Sequence, residues 1–227
     1  MEVIQQKILS GHYKPGQSLP SQLQLSNELG VSRASLREAL SMLETLGFLS
    51  IEPGRGTFIS SSNPTQSGAL SNWRYSRRYE EDAVFQTRLA LECAIVAEAA
   101  WKIEVPALDA LRRATAQMDE AWKGQDLVTV AERDKHFHET IVRSCGNAMM
   151  ADIYFSLKDI LQETQVHPLP VTRMKRAEES IAEHGQIISA LHARDRRAAE
   201  HAMREHILRT AAAVGITLNH TLIDGME

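Results

Sequence analysis

The chain has 227 residues, 43% of them apolar, and a formal net charge of −4, which suits one large or two modest domains of an ordinary folded protein. No apolar run approaches the roughly 20 residues that cross a bilayer, and no charged segment leads into an apolar leader. Cys93 and Cys145 are the only cysteines and stand in no CxxC, which argues against a disulfide framework and for a reducing cytoplasm.

Residues 1–62 carry five basic and five acidic side chains, so the whole negative balance lies in the remainder. A nucleic-acid reader in that first segment must use a local basic edge, and its affinity should fall steeply with salt. In chain order, Val3–Ser10 has a short helical pattern, ended by Gly11 and the Pro15-Gly16 turn. Ser21 with Gln24 three residues on has capping-box spacing and opens a helix over about 21–29, with Leu23, Leu25 and Leu29 as its apolar positions. Gly30 permits a sharp left-handed turn. Ser32 caps a further helix over about 32–45, with Leu36, Leu40, Met42 and Leu43 inward, and Gly47 ends it. Phe48–Ile51 and Thr57–Ser60 are short strand patterns joined through Pro53-Gly54-Arg55-Gly56. This order predicts a winged helix-turn-helix over residues 1–62.

Ser60–Gly68 is polar and rich in breakers, so residues 63–79 read as a linker; Trp73, Tyr75 and Tyr79, with Arg74, Arg77 and Arg78 among them, form a short helix that packs one domain on the other or else touch a nucleic-acid backbone, packing being favoured. From about residue 80 to 220 the pattern is helical throughout. A first long helix ends near Pro106 and a second contains Leu108, Leu111 and Met118. Asp126, Asn147 and Asp195 open later helices, and Pro168 and Pro170 break the chain between them. The predicted fold is mainly α: the winged helix-turn-helix, then an all-helical bundle of six or seven helices.

Arg33 and Arg37 lie four apart and share a face at the start of the third helix, flanked by Ser32 and Ser35. A helix N-terminus in the major groove lets arginines meet guanine edges while hydroxyls hold phosphates. The Gly54-Arg55-Gly56 tip can approach a phosphate backbone closely. Each feature alone also fits a solvated helix face and an ordinary hairpin.

Asp134 and His138 lie four apart on one helix, and His184 and His206 sit inside apolar stripes of two others. One carboxylate and three imidazoles converging in a bundle would bind a divalent first-row metal, although lone inward histidines are more often satisfied core residues. Arg88 reaches inward from the first long helix, either to clamp a carboxylate bidentately or to pair with a nearby glutamate. Asn147 is open between a ligand contact and a helix cap. His136 reads as surface, and His12, His167, His192, His201 and His220 as solvated or structural. Glu183, beside His184, is the nearest candidate for a general base, but its neighbourhood puts it off the inward face, which argues against an enzyme.

Together, residues 11–59, with LP, LGVSR, LREAL, GF and PGRGTFI in order, resemble the N-terminal domain of the GntR family of bacterial transcription regulators. One departure is Leu23, where the family usually has arginine. Residues 80–212 are similar to the FadR-type ligand domain, the FCD domain, through Arg88 and Glu92, Asp134 with Phe137-His138, Gly146-Asn147, His184 and His206. The resemblance implies a metal on Asp134, His138, His184 and His206 (zinc first, nickel or manganese as alternatives); Arg88 is the next candidate to hold the effector, and Asn147 stays open between an effector contact and a helix cap. It also implies a homodimer on a palindromic double-stranded DNA operator, a small carboxylic or sugar acid as effector, and no membrane. A sensed metal and a purely structural metal are the competing uses of the same four residues.

Overall fold

In the computed structural model, residues 2–61 and 73–218 are described. Three helices and a hairpin form the first unit: α1 Glu2–Leu9, α2 Gln22–Leu29, α3 Arg33–Thr45, β1 Leu49–Glu52 and β2 Gly56–Ile59. The start of α2 is fixed by the reciprocal bonds of the Ser21–Gln24 capping box. Its end is fixed by Gly30, whose φ of 65° is cheap only for a residue without a Cβ. Ser32 then accepts the Ser35 N–H and starts α3. In the hairpin Leu49 pairs with Ile59 and Glu52 with Gly56, and Ser18 adds a single bridge to Phe58. Leu36, Leu40, Leu43, Leu46, Phe48 and Ile59 bury the inner faces of these elements. This is a winged helix-turn-helix. Met42, expected inward, is only half-buried, because the face it occupies meets a cleft rather than the core.

The second unit holds, among the described residues, six α-helices: α4 Glu81–Lys102, α5 Val105–Lys123, α6 Leu127–Ser144, α7 Ala148–Val166, α8 Met174–His192 and α9 Arg196–Ala213. A 3₁₀ turn at Leu169–Val171 carries Pro170 between α7 and α8. Asp126, Asn147 and Asp195 each accept a backbone N–H from three residues ahead, so local chemistry sets where α6, α7 and α9 begin. Helix α4 runs through the middle, against α6, α7, α8 and α9, and is buried on most of its circumference. The linker reading of Ser60–Gly68 lies almost wholly outside the described residues. Residues 73–79 form turns rather than a helix. Trp73 donates from Nε1 to the Tyr79 carbonyl and stacks near the His167 ring, so it does pack onto the bundle.

The two units share apolar surface. Ile4, Ile8 and the winged-helix core join Met118, Trp122, Leu127, Val128, Val130 and Leu169 of the bundle in one cluster. At the far end of α3, Thr45 donates a buried 2.7 Å hydrogen bond to Glu163 of α7. Gln5 on α1 is fully buried, and neither end of its amide has a partner in the protein. An unpaired buried amide costs on the order of 1–3 kcal/mol, so Gln5→Met, which keeps the volume, should stabilise the chain by about that much. Thermal unfolding should then show a midpoint higher by roughly 2–4 °C per kcal/mol, and a lowered midpoint would mean that the amide is satisfied.

Candidate metal centre and DNA-reading surface

Four side chains from three helices meet where α6, α8 and α9 face one another. Asp134 and His138 come from α6, His184 from α8 and His206 from α9, and one ligand atom from each lies within 4.8 Å of all the others. Each histidine sits in the apolar stripe of its helix: His138 beside Phe137 and Ile141, His184 before Ile187 and Ile188, His206 beside Met203 and Ile207. Packing of those stripes drives the imidazoles inward. All three are buried, while the Asp134 side chain keeps 13% of its surface open.

The hydrogen bonds around the cluster fix which nitrogens face the middle. His138 Nδ1 lies 2.5 Å from Glu92 Oε2, and His206 Nδ1 lies 3.0 Å from Glu183 Oε2. An ionised carboxylate can only accept, so both Nδ1 atoms carry the proton and both Nε2 atoms present a lone pair. His184 stacks on Phe137 at 4.2 Å between ring centroids. Neither of its nitrogens has a hydrogen-bond partner in the protein, although Nε2 stands 3.4 Å from Asp134 Oδ1. Burial, then the neighbouring imidazoles and Arg88, hold His184 well below the usual histidine range, and burial with His138 and Arg88 does the same for His206. Neutral imidazoles are the ligating form. Burial raises Asp134 against the pull of His138 and Arg88. Burial also works to raise Glu92, but His138 and Arg88, both hydrogen-bonded to it, outweigh burial and bring its carboxyl down to about 2.

This donor set fits a divalent first-row metal. Three imidazoles and one carboxylate are the ligands such an ion takes, two imidazoles have carboxylates fixing their far nitrogens, and the third has an unpaired buried nitrogen that an ion would satisfy.

Glu183 corrects the expectation from sequence. It is buried rather than off the inward face, and it receives both Nη atoms of Arg176 at 3.0 and 2.9 Å as well as Arg209 and His206. Its place is behind a histidine, not on a substrate. Glu183→Ala should lower metal affinity by roughly 10–100-fold, as loss of such orienting groups does; competition with a chromophoric chelator would measure it, and unchanged affinity would remove Glu183 from the site.

Arg88 is fully buried on α4. The structure displays the glutamate pairing. Its Nε donates to Glu92 at 2.9 Å, and its Nη2 lies 3.3 Å from His138 Nε2. It also lines a cavity of about 40 Å³ beside Asp134 and His206, with Gln165, Arg176 and Ser180 on the other walls. Asn147 is not brought to this cavity. It is exposed and accepts the Met150 N–H as the cap of α7, because a residue after a left-handed glycine is placed to start a helix, not to reach the bundle interior. His167 is buried against Glu81, a pairing 86 residues apart that no local pattern shows. Both cysteines are free and buried, and burial pushes the Cys93 thiol up to about 12.

The second candidate surface is on the winged helix. Ser32, Arg33, Ser35 and Arg37 are exposed at the N-terminal end of α3. Gly54, Arg55 and Gly56 are exposed at the hairpin tip, where Gly54 takes φ 75° and Arg55 pairs with Glu52. Leu23, at the position where the resembled family usually has arginine, is 58% exposed on α2. Arg37 also lines a cleft of about 380 Å³ between α3 and the bundle, opposite Lys135, Lys158, Asp159 and Glu163.

The family model for the FCD domain matches residues 83–209, and the model for bacterial regulatory proteins of the gntR family matches residues 1–59. The chain belongs to the GntR family, in its FCD branch. Among curated GntR-type relatives, the Uxu operon transcriptional regulator of Escherichia coli is 26% identical over 90% of this chain and 81% of its own length. The HTH-type transcriptional regulator LutR of Bacillus subtilis is 26% identical over 88% and 92%. Among solved structures, Streptococcus agalactiae GntR covers 93% of this chain and 97% of its own at 25% identity and a TM-score of 0.50. E. coli McbR/YncC matches in fold with a TM-score of 0.56 over 93% and 92% at 18% identity. This chain is a transcriptional regulator and not an enzyme, and no described helix is long and apolar enough to cross a membrane.

Proposed function

We propose that this GntR regulator binds its operator with an affinity set by a small carboxylic or sugar acid, held at a divalent metal on Asp134, His138, His184 and His206. The observation that carries the reading is the pair of buried carboxylates, Glu92 and Glu183, that turn two imidazole lone pairs toward a third imidazole with no partner of its own. Such an ion, with zinc the first choice and nickel or manganese the alternatives, would supply a Lewis-acidic anchor for a carboxylate. Once His138 Nε2 is a ligand, Arg88 Nη2 loses that neighbour as an acceptor, which frees a guanidinium donor beside the metal for the same carboxylate.

The cavity shares part of its wall with the seat of the winged helix. Met118, Trp122, Val130 and Leu169 form cavity wall on one side, and they belong to the apolar cluster that seats Ile4 and Ile8 of α1. A cavity of 40 Å³ has room for about three waters, so a larger ligand must displace part of its lining, of which these four residues are members. Displacing them shifts the seat of the winged helix. The effect on operator affinity can be no larger than the acid's differential affinity for the arrangements involved. The regulator acts in the cytoplasm as a homodimer, since two reading helices about a two-fold axis match a palindromic operator.

The test is a thermal-shift screen of mono- and dicarboxylic, hydroxy and sugar acids on the full chain, with and without chelator. An acid that raises the midpoint by mass action, and loses that effect with chelator, is the expected result. A chelator-sensitive baseline with no response to any acid would reduce the metal to a structural or sensed ion.

A further inference from the structure

We infer that Gln165 reads a hydroxyl group on the effector, so that the site selects hydroxy acids over the matching plain carboxylic acids. The inference rests on the effector reading above and adds the group that gives it specificity.

Gln165 lies on α7, is 5% exposed and lines the same small cavity as Arg88, Asp134 and His206. Four other polar side chains on the walls are already committed. Arg176 gives both Nη atoms to Glu183. Arg88 gives Nε to Glu92 and reaches Thr164 with Nη1 at 3.4 Å. The Thr172 and Thr210 hydroxyls donate to the carbonyls of Pro168 and His206. Gln165 Nε2 has no partner in the protein. It is therefore a buried polar group at this cavity that a ligand can satisfy without displacing an existing bond.

The chemistry of an amide then names the group. As placed, Nε2 asks for an acceptor. Turned over about its last torsion, the amide presents its oxygen and asks for a donor. A hydroxyl both donates and accepts, and so satisfies either orientation. The carboxylate of the same ligand belongs to the metal and Arg88, which leaves the hydroxyl on the carbon chain for Gln165. An acid without it leaves a buried amide unpaired, which polar sites penalise strongly.

The experiment is calorimetric titration of the full chain, with and without added zinc, using matched pairs: acetate and glycolate, propionate and lactate, succinate and malate, hexanoate and gluconate. The expected result is that at least one hydroxy acid binds about tenfold or more tightly than its partner, and that Gln165→Met reduces this ratio to near one while the plain acid keeps its affinity. If the methionine variant does not melt cooperatively, Gln165→Asn, which withdraws the amide by one methylene, must show the same loss. Acids that bind with no preference for the hydroxyl, or a preference that survives the substitution, overturn the role of Gln165 and leave the effector reading standing. Binding of no acid in either metal state overturns both.

Discussion

His184→Ala should abolish metal retention and, with it, every response to an organic acid. Loss of a direct ligand should weaken binding by more than the roughly 10–100-fold seen for orienting groups. The clearest readout is the difference in melting midpoint between metal-loaded and chelated protein. In the parent chain, a metal at a thousand times its dissociation constant stabilises the fold by about 4 kcal/mol, or roughly 8–16 °C for a chain of this size. In the variant that difference should vanish. The chelated forms should lie closer together, because alanine removes two nitrogens that are buried without partners even as it opens a cavity. Specific DNA binding without effector should persist, since His184 is remote from the winged helix in sequence and packs on Phe137 within the bundle. A variant that still holds one metal with parent affinity would show that Asp134, His138 and His206 suffice, or that the ion sits elsewhere.

What the sequence disclosed follows the range of the forces involved. The winged helix was legible because its boundaries are set within three or four residues: the Ser21–Gln24 box, Gly30 with φ 65°, and Ser32 capping α3. The starts of α6, α7 and α9 were legible for the same reason, through Asp126, Asn147 and Asp195. Asn147 had two possible uses, and the local one, helix capping, is the one the structure displays. Contacts between elements were hidden. Glu183 was misread because α8 is packed by α4, α5 and α9 and so buries more than one face. Arg176, seven residues before Glu183 and so on nearly the same face, was the available signal for a buried pair. Met42 was misplaced because its apolar character says nothing about whether core or cleft lies opposite. The Thr45–Glu163 bond and the buried amides of Gln5 and Gln165 depend wholly on how distant elements meet.

Arg37→Ala should weaken operator binding by about 1–3 kcal/mol, a factor of roughly 5–150, while leaving the melting midpoint nearly unchanged. The side chain is exposed and four residues from Arg33, so truncating it removes no core packing. If Arg37 meets a base edge, the loss will be concentrated on operator sequence and will relax preference at one position in each half-site. If it meets phosphate, binding to all DNA will fall together, and the slope of log affinity against log salt will drop by about one. Its second location separates these outcomes from a third. Arg37 lines the cleft between α3 and the bundle, where Asp159 and Glu163 are the acidic groups across from it. A guanidinium cannot serve that cleft and a DNA groove at once. Should the cleft-facing arrangement compete with DNA, Asp159→Asn would raise operator affinity, while the same change on an Arg37→Ala background would do nothing. Double-mutant coupling between Arg37 and Asp159, measured on operator and on random DNA, therefore distinguishes a reading residue from one that also holds the domains together. Unchanged operator affinity in Arg37→Ala would remove the residue from DNA recognition and leave Arg33 and the Arg55 wing tip as the basic groups of that surface.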